Sequence, residues 1–337
     1  MTGNLRAVAA KARVSVATAS RALRSLPHVK PSVREAVMRA AGELKYEIPP
    51  LVGTVLSHVR RGRGQGGAVY TGTLAVLHVP GPGQTVLLPF QQEVVAGARH
   101  RAGTLGFTLE IFDLGAERMK PAALGRVLTA REIAGVVVLH AHRTTELDGF
   151  PWERFPAVEL DYSAGRPALH TVCIDHHHTM GQAMMELAGR GYKRPGLMIE
   201  RFKDERIEGR WSAAFVAHVG RLRLARLAPL VVDQWDEPAF EKWMERTRPD
   251  VVLSHRDEAV ALLRDRAGFF SLNWNERRCN VAGLDLRPQL QGEVAVEMVV
   301  ARVQRNERGP WAEPRTAMLA GRWVEGPTVR AQGRQGA

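Results

Sequence analysis

From Tyr70 onward the chain alternates short apolar runs with stretches of helical spacing, and few folds accept that pattern. The runs "TLAVLHV", "FTLEIF", "AGVVVLH", "PAVEL", "HTVCI", "RPGLMI", "PLVV", "DVVLS" and "NVAGLDL" carry apolar residues in near-unbroken succession. A strand apolar on both faces must be covered on both, which is the condition of a parallel sheet between helices. Helical stretches lie between most of the runs, for instance at 91–105, 179–190 and 208–222. The alternation predicts doubly wound parallel sheets, and the 337-residue length suits two lobes better than one. No short-period repeat accompanies it.

The first 45 residues read differently, as three short helices with no strand. Residues 5–12 are Ala-rich, Ser15 is placed to cap a helix over 16–23, and Pro31 opens a third helix with Val33, Val37, Ala40, Ala41 and Leu44 at helical spacing. Charge is concentrated here. Between Met1 and Gly66 lie twelve basic residues (Arg6, Lys11, Arg13, Arg21, Arg24, Lys30, Arg34, Arg39, Lys45, Arg60, Arg61, Arg63) against Glu35, Glu43 and Glu47. That difference of twelve minus three supplies +9 of the chain's +12. Such asymmetry points to a polyanionic partner for this part alone.

In "VAAKARVSVATASRALR" small residues recur where two short helices would cross: Ala9, Ala12, Val14 and Ala19. This is the requirement of a helix-turn-helix, whose second helix enters the major groove of DNA. Its leading residues Val16, Ala17, Thr18, Ser20 and Arg21, with the capping Ser15, are the candidate DNA contacts. Arg13 in the turn and Arg24 and His28 beyond the helix join them.

"LRAVAAKARVSVATASRAL" followed by "HVKPSVREAVMRAAGELKY" resembles the N-terminal domain of the lactose repressor/galactose repressor family. The matching residues are Val8-Ala9, Val14-Ser15, Thr18-Ala19-Ser20-Arg21 and Glu43-Leu44-Lys45-Tyr46. "IDHHHTMGQAMMELAGRGYKRPGLM" is similar to the opening of that family's second lobe, so the likeness runs along nearly all of the chain. The family's turn glycine is Arg13 here and its first-helix acid is Ala7. The resemblance implies a helix-turn-helix headpiece at 1–47 and a hinge helix with basic linker at 48–69. It further implies an α/β core like the periplasmic binding proteins, one lobe at 70–167 with 287–314 and the other at 168–286 with 315–330. It places Leu56 as a residue that wedges into the minor groove.

For the core, the resemblance implies a small effector, a sugar or related metabolite, held between the lobes by charged groups and an aromatic platform. Asp285 ends "NVAGLD", Trp235 lies in "VVDQWDE", and His255 and Asp257 lie in "VVLSHRDEA" where the family has an "AND"-like turn. Arg206 and Arg210 compete for the place of a binding arginine, with Trp211 disturbing the register. Trp211 and Trp235 are equally open to a core role.

The remaining signals exclude more than they propose. Two cysteines, Cys173 and Cys279, make neither a disulfide framework nor a zinc site, and suit a reducing cytoplasm. Neither an export signal nor a membrane span is legible. "HHH" at 176–178 points its side chains in different directions, and "GPGQT" at 81–85 lacks the Lys-Ser/Thr pair of a P-loop. No nucleophile–base pairing or paired carboxylates emerge, so no cofactor, metal or enzymatic reaction is expected. The reading is a homodimeric transcriptional regulator, a repressor, on a pseudo-palindromic DNA operator. Its alternatives are a core that has lost its ligand and only dimerises, or a sugar-processing enzyme.

Overall fold

The computed structural model describes residues 5–23, 29–44, 72–80, 86–114, 119–139, 147–161, 167–276, 280–311 and 313–331. The chain divides into two units, Met1–Gly66 and Gly67–Ala337. The expected hinge, with Leu56, and the 81–85 loop lie outside the described residues, as do Arg24 and His28.

The first unit holds α1 (Leu5–Lys11), α2 (Val16–Leu23) and α3 (Pro31–Glu43). Small side chains let the three helices approach closely, and Val8, Ala19, Ala22 and Val37 are wholly buried. Pro31 stands in the first turn of α3, where its missing N–H costs nothing. Lys11 and Glu43 tie α1 to α3 at 2.5 Å.

The second unit is built on two six-stranded sheets. The first runs β11-β5-β4-β3-β1-β2, from β1 (Gly72–His78), β2 (Phe107–Asp113), β3 (Ile133–Leu139), β4 (Ala157–Leu160), β5 (His170–Ile174) and β11 (Thr316–Leu319), all parallel. Helices α4 (Pro89–Thr104) and α11 (Pro288–Arg305) cover one face. On the other lie α5 (Pro121–Ala130) and the aromatic group of Phe150, Trp152 and Phe155. Where α4 and α11 cross, Gly97 lies on the backbone of Gln289 and Gly292 on that of Val94, with no room for a β-carbon.

The second sheet runs β12-β10-β9-β8-β6-β7, from β6 (Pro195–Glu200), β7 (Leu230–Val232), β8 (Val251–Ser254), β9 (Gly268–Trp274), β10 (Ala282–Asp285) and β12 (Arg322–Val324). Only β12 is antiparallel, against β10. One face carries α6 (His176–Gly189) and α8 (Arg210–Arg221), with the short α7 (Arg201–Glu205) leading into α8. The opposite face carries α9 (Glu237–Thr247) and α10 (Glu258–Leu263). Each sheet is thus helix-covered on both faces, the doubly wound arrangement expected.

All nine apolar runs are strands, but β2 and β7 are half-exposed, because they stand at sheet edges. Strands β9, β11 and β12 were not expected. The last two set the lobe divisions, since β5 and β11 pair within the first sheet. The chain therefore leaves that sheet after Ile174 and again after Leu319. Strand partnership rather than local pattern decides where a lobe ends.

Candidate functional site

In the first unit the turn between α1 and α2 is closed by two backbone bonds. Val14 N–H donates to the Ala9 carbonyl at 3.0 Å and Arg13 N–H to that of Ala10 at 3.2 Å, with Arg13 at φ 53° between them. This is the Schellman closure, usually made with glycine at that position. Ser15 Oγ then accepts the Thr18 N–H at 3.0 Å and meets Thr18 Oγ1 at 2.8 Å, the N-cap expected of it. Ala19 and Ala22 face the core, which turns Val16, Ala17 and Arg21 to solvent and leaves Thr18 half-buried. Ser20 lies within α2. Neither α1 nor α2 has an acid in its first turn, so no side-chain charge there offsets the positive end of the α2 dipole.

In the second unit the nominated effector residues follow the C-terminal ends of the second sheet's parallel strands, where open α/β sheets bind ligands. Asp285 ends β10, His255 and Asp257 follow β8, Arg206 follows β6 through α7, and Trp235 follows β7. Arg210 opens α8 and pairs with Glu208 at 2.9 Å. Trp235 packs on Phe240, ring centres 5.4 Å apart, at the margin of the core under α9 and α10. Trp211 is a core residue. Its ring meets His176 edge-on at 4.6 Å and His255 at 5.8 Å.

Ion pairs tie this strand-end surface together. The buried Glu200 carboxylate meets Arg256, from the loop after β8, and Lys203 at 2.6 Å. Burial alone would raise the Glu200 pKa; the ammonium and guanidinium outweigh it and hold the carboxyl below its ordinary range. Asp285 accepts the Arg287 N–H at 2.7 Å and pairs with Arg322 at 2.9 Å. Arg206 pairs with Asp161, which directly follows β4 in the other lobe. Burial draws the Arg206 guanidinium down to about 10, and it remains a cation at neutral pH beside that carboxylate. His176, with its ring N–H on the Ile174 carbonyl, is pushed by burial down to about 4 and stays neutral.

Residues 4–48 match the family model described as "Bacterial regulatory proteins, lacI family". The chain carries a lacI-family domain. Among solved structures, a complex of the transcriptional regulator CelR with cellobiose is 21% identical, with TM-score 0.60, covering 98% of this chain and all of that one. The lac repressor dimer bound to operator and the anti-inducer ONPF is 18% identical, with TM-score 0.56 and the same coverage. A lacI-family transcriptional regulator from Silicibacter pomeroyi is 20% identical, with TM-score 0.54, again covering 98% and 100%. No curated protein matches this chain. At these identities the structures establish a shared fold: a lacI-type headpiece followed by a two-lobed α/β core.

Against the lacI pattern, the structure brings forward groups that the sequence reading passed over. Arg256, between the nominated His255 and Asp257, is the member of that turn which reaches Glu200. Asp161 and Glu200 each stand at the C-terminal end of an apolar strand, the signal that singled out Asp285, and could have been found by it. The buried His78 pairs with the half-buried Asp113 at 2.9 Å at the ends of β1 and β2. That is an imidazole–carboxylate pairing which a linear reading did not join. Among the described residues no three His, Cys, Asp or Glu side chains gather as a metal site, and no helix is long and apolar enough to cross a membrane.

Proposed function

We propose that this protein is a sequence-specific transcriptional regulator, a homodimeric repressor working in the cytoplasm, whose effector is a sugar or related small metabolite bound between the two lobes. The observation that carries the reading is the union in one chain of a lacI-family domain, its recognition helix turned to solvent, with a two-sheet core bearing charged groups at its strand ends. In a dimer, two copies of α2 would enter major grooves about one helical turn apart, so the operator is a pseudo-palindrome. Ser15, Thr18, Ser20, Arg21, Arg24, His28 and Arg13 serve the backbone or base edges, Val16 and Ala17 offer methyl contacts, and Leu56 wedges into the minor groove. The effector lies among Arg206, Trp235, His255, Asp257 and Asp285. Arg206 is favoured over Arg210, whose pairing with Glu208 is local. A few kcal/mol of differential binding between two core states is enough to switch the headpieces.

Selection of genomic fragments by the full-length protein at physiological salt, followed by sequencing, tests this. An enriched pseudo-palindrome supports dimeric readout, and neighbouring genes name effectors to try. Salt-sensitive binding with no enriched motif ends the repressor reading. A second reading, a core that only dimerises, draws on the internal pairing of Glu200, Arg206 and Asp285. A panel of mono- and disaccharides read by thermal shift separates the two, because only a binding core is stabilised by ligand.

A further inference from the structure

The Asp161–Arg206 pair joins the two lobes, one partner from each. Both of its ends are built to be there. Asp161 sits at φ 67°, a left-handed conformation that disfavours a residue with a β-carbon, and its N–H is held on the Val172 carbonyl at 2.8 Å. Its side chain is 9% exposed. Arg206 stands on a turn fixed from inside: Asp204 Oδ1 accepts the Trp211 and Ser212 N–H groups, each at 3.2 Å, and its carbonyl accepts Gly209 N–H at 2.8 Å. Two apolar side chains bridge the same lobes. Phe90, at the start of α4, and Leu319, at the end of β11, each pack against the core of both.

We propose that the core latches itself: Asp161 and Arg206 hold the lobes together as a switchable contact, over the apolar bridge of Phe90 and Leu319. An ion pair between a buried carboxylate and a partly buried guanidinium suits a switch better than a fixed joint. Separating it leaves two charges that water or another molecule must satisfy, so its strength depends on what enters the cleft. Asp161 thus presents its carboxylate from a left-handed position, which aspartate tolerates better than most residues with a β-carbon. A molecule displacing the latch must offer the guanidinium an acceptor and the carboxylate a donor, as a vicinal diol does. This last consequence, though not the latch, rests on the effector reading above.

Small-angle X-ray scattering of the full-length protein with no sugar added tests the latch apart from any effector. Asp161→Gly removes the carboxylate while suiting the backbone, so it keeps the fold; Arg206→Gln removes the cation. Each single variant should raise the radius of gyration, and the double variant should raise it no further than the larger single effect. Arg206→Lys should stay at the wild-type value. Unchanged radii for both Asp161→Gly and Arg206→Gln, with melting curves showing folded protein, overturn the proposal. So do increases that add in the double variant, since they would mean that the two residues act independently.

Discussion

The N–H of Val14 reaches back five residues to the carbonyl of Ala9, and Arg13 between them carries a positive φ. The turn between the first two helices thus has glycine geometry without glycine. A left-handed residue with a β-carbon costs roughly 1–2 kcal/mol, part of which glycine's extra unfolded-state freedom offsets. Arg13→Gly should therefore stabilise the headpiece by about 0.5–1 kcal/mol, read as slower amide exchange in α1 and α2. If Arg13 also touches phosphate, the same variant lowers the salt dependence of DNA binding. Faster exchange would sink the strain argument.

Arg21 is exposed beside Thr18 on the outer face of α2. Arg21→Ala should weaken DNA binding and reduce the slope of log K against log salt by about 1.8 for the dimer, the signature of one lost phosphate contact in each of its two headpieces. A change in sequence preference at constant slope would instead assign it to a base edge.

The crossing of α4 and α11 has backbone where a β-carbon would go. Gly292→Ala would drive a methyl into the Val94 carbonyl, and Gly97→Ala one into that of Gln289. Overpacking of this kind costs about 3 kcal/mol when helices must separate. Thermal melting of each variant checks it, and a melting point within a degree of wild type would mean that the crossing slides freely.

His176 is neutral in the folded core with a pKa near 4, against 6.5 for an ordinary histidine. The unfolded chain takes up its proton first as pH falls, so the stabilisation is complete above about pH 6.5 and declines toward pH 4, by up to ~3 kcal/mol. His170 and His218 are lowered by burial too and act in the same direction. Urea midpoints at pH 7.5, 6 and 5 should fall in that order. In His176→Asn the decline should be visibly shallower; an equal decline would place the sensitivity elsewhere.

Much of the fold was legible because its signals are local. Ser15, Pro31 and the small residues between them mark a helix-turn-helix within one short segment, and unbroken apolar runs mark parallel strands one at a time. What was missed depends on partners far along the chain. Strands β11 and β12 are four and three residues long and become strands by completing sheets begun far upstream. The aromatic "GFFSLNW" of β9 lacks the aliphatic run that marked its neighbours. At the strand ends the sequence reading found Asp285, Trp235 and Arg206 through resemblance. It could not join Arg206 to Asp161, or Arg256 to Glu200 56 residues away, because only the fold puts them in reach.

Strands β11 and β12 also govern when the core can exist. Each lies at an edge, the first beside β5 and the second beside β10, and residues 316–324 carry both. On the ribosome, every other strand of both sheets emerges before this segment, yet neither sheet is finished without it. Until then β5 and β10 offer unpaired backbone of the kind that recruits another nascent chain. Both lobes are therefore completed nearly together, late in synthesis, and a message truncated just before this segment would yield a chain prone to aggregate rather than a regulator with one working lobe.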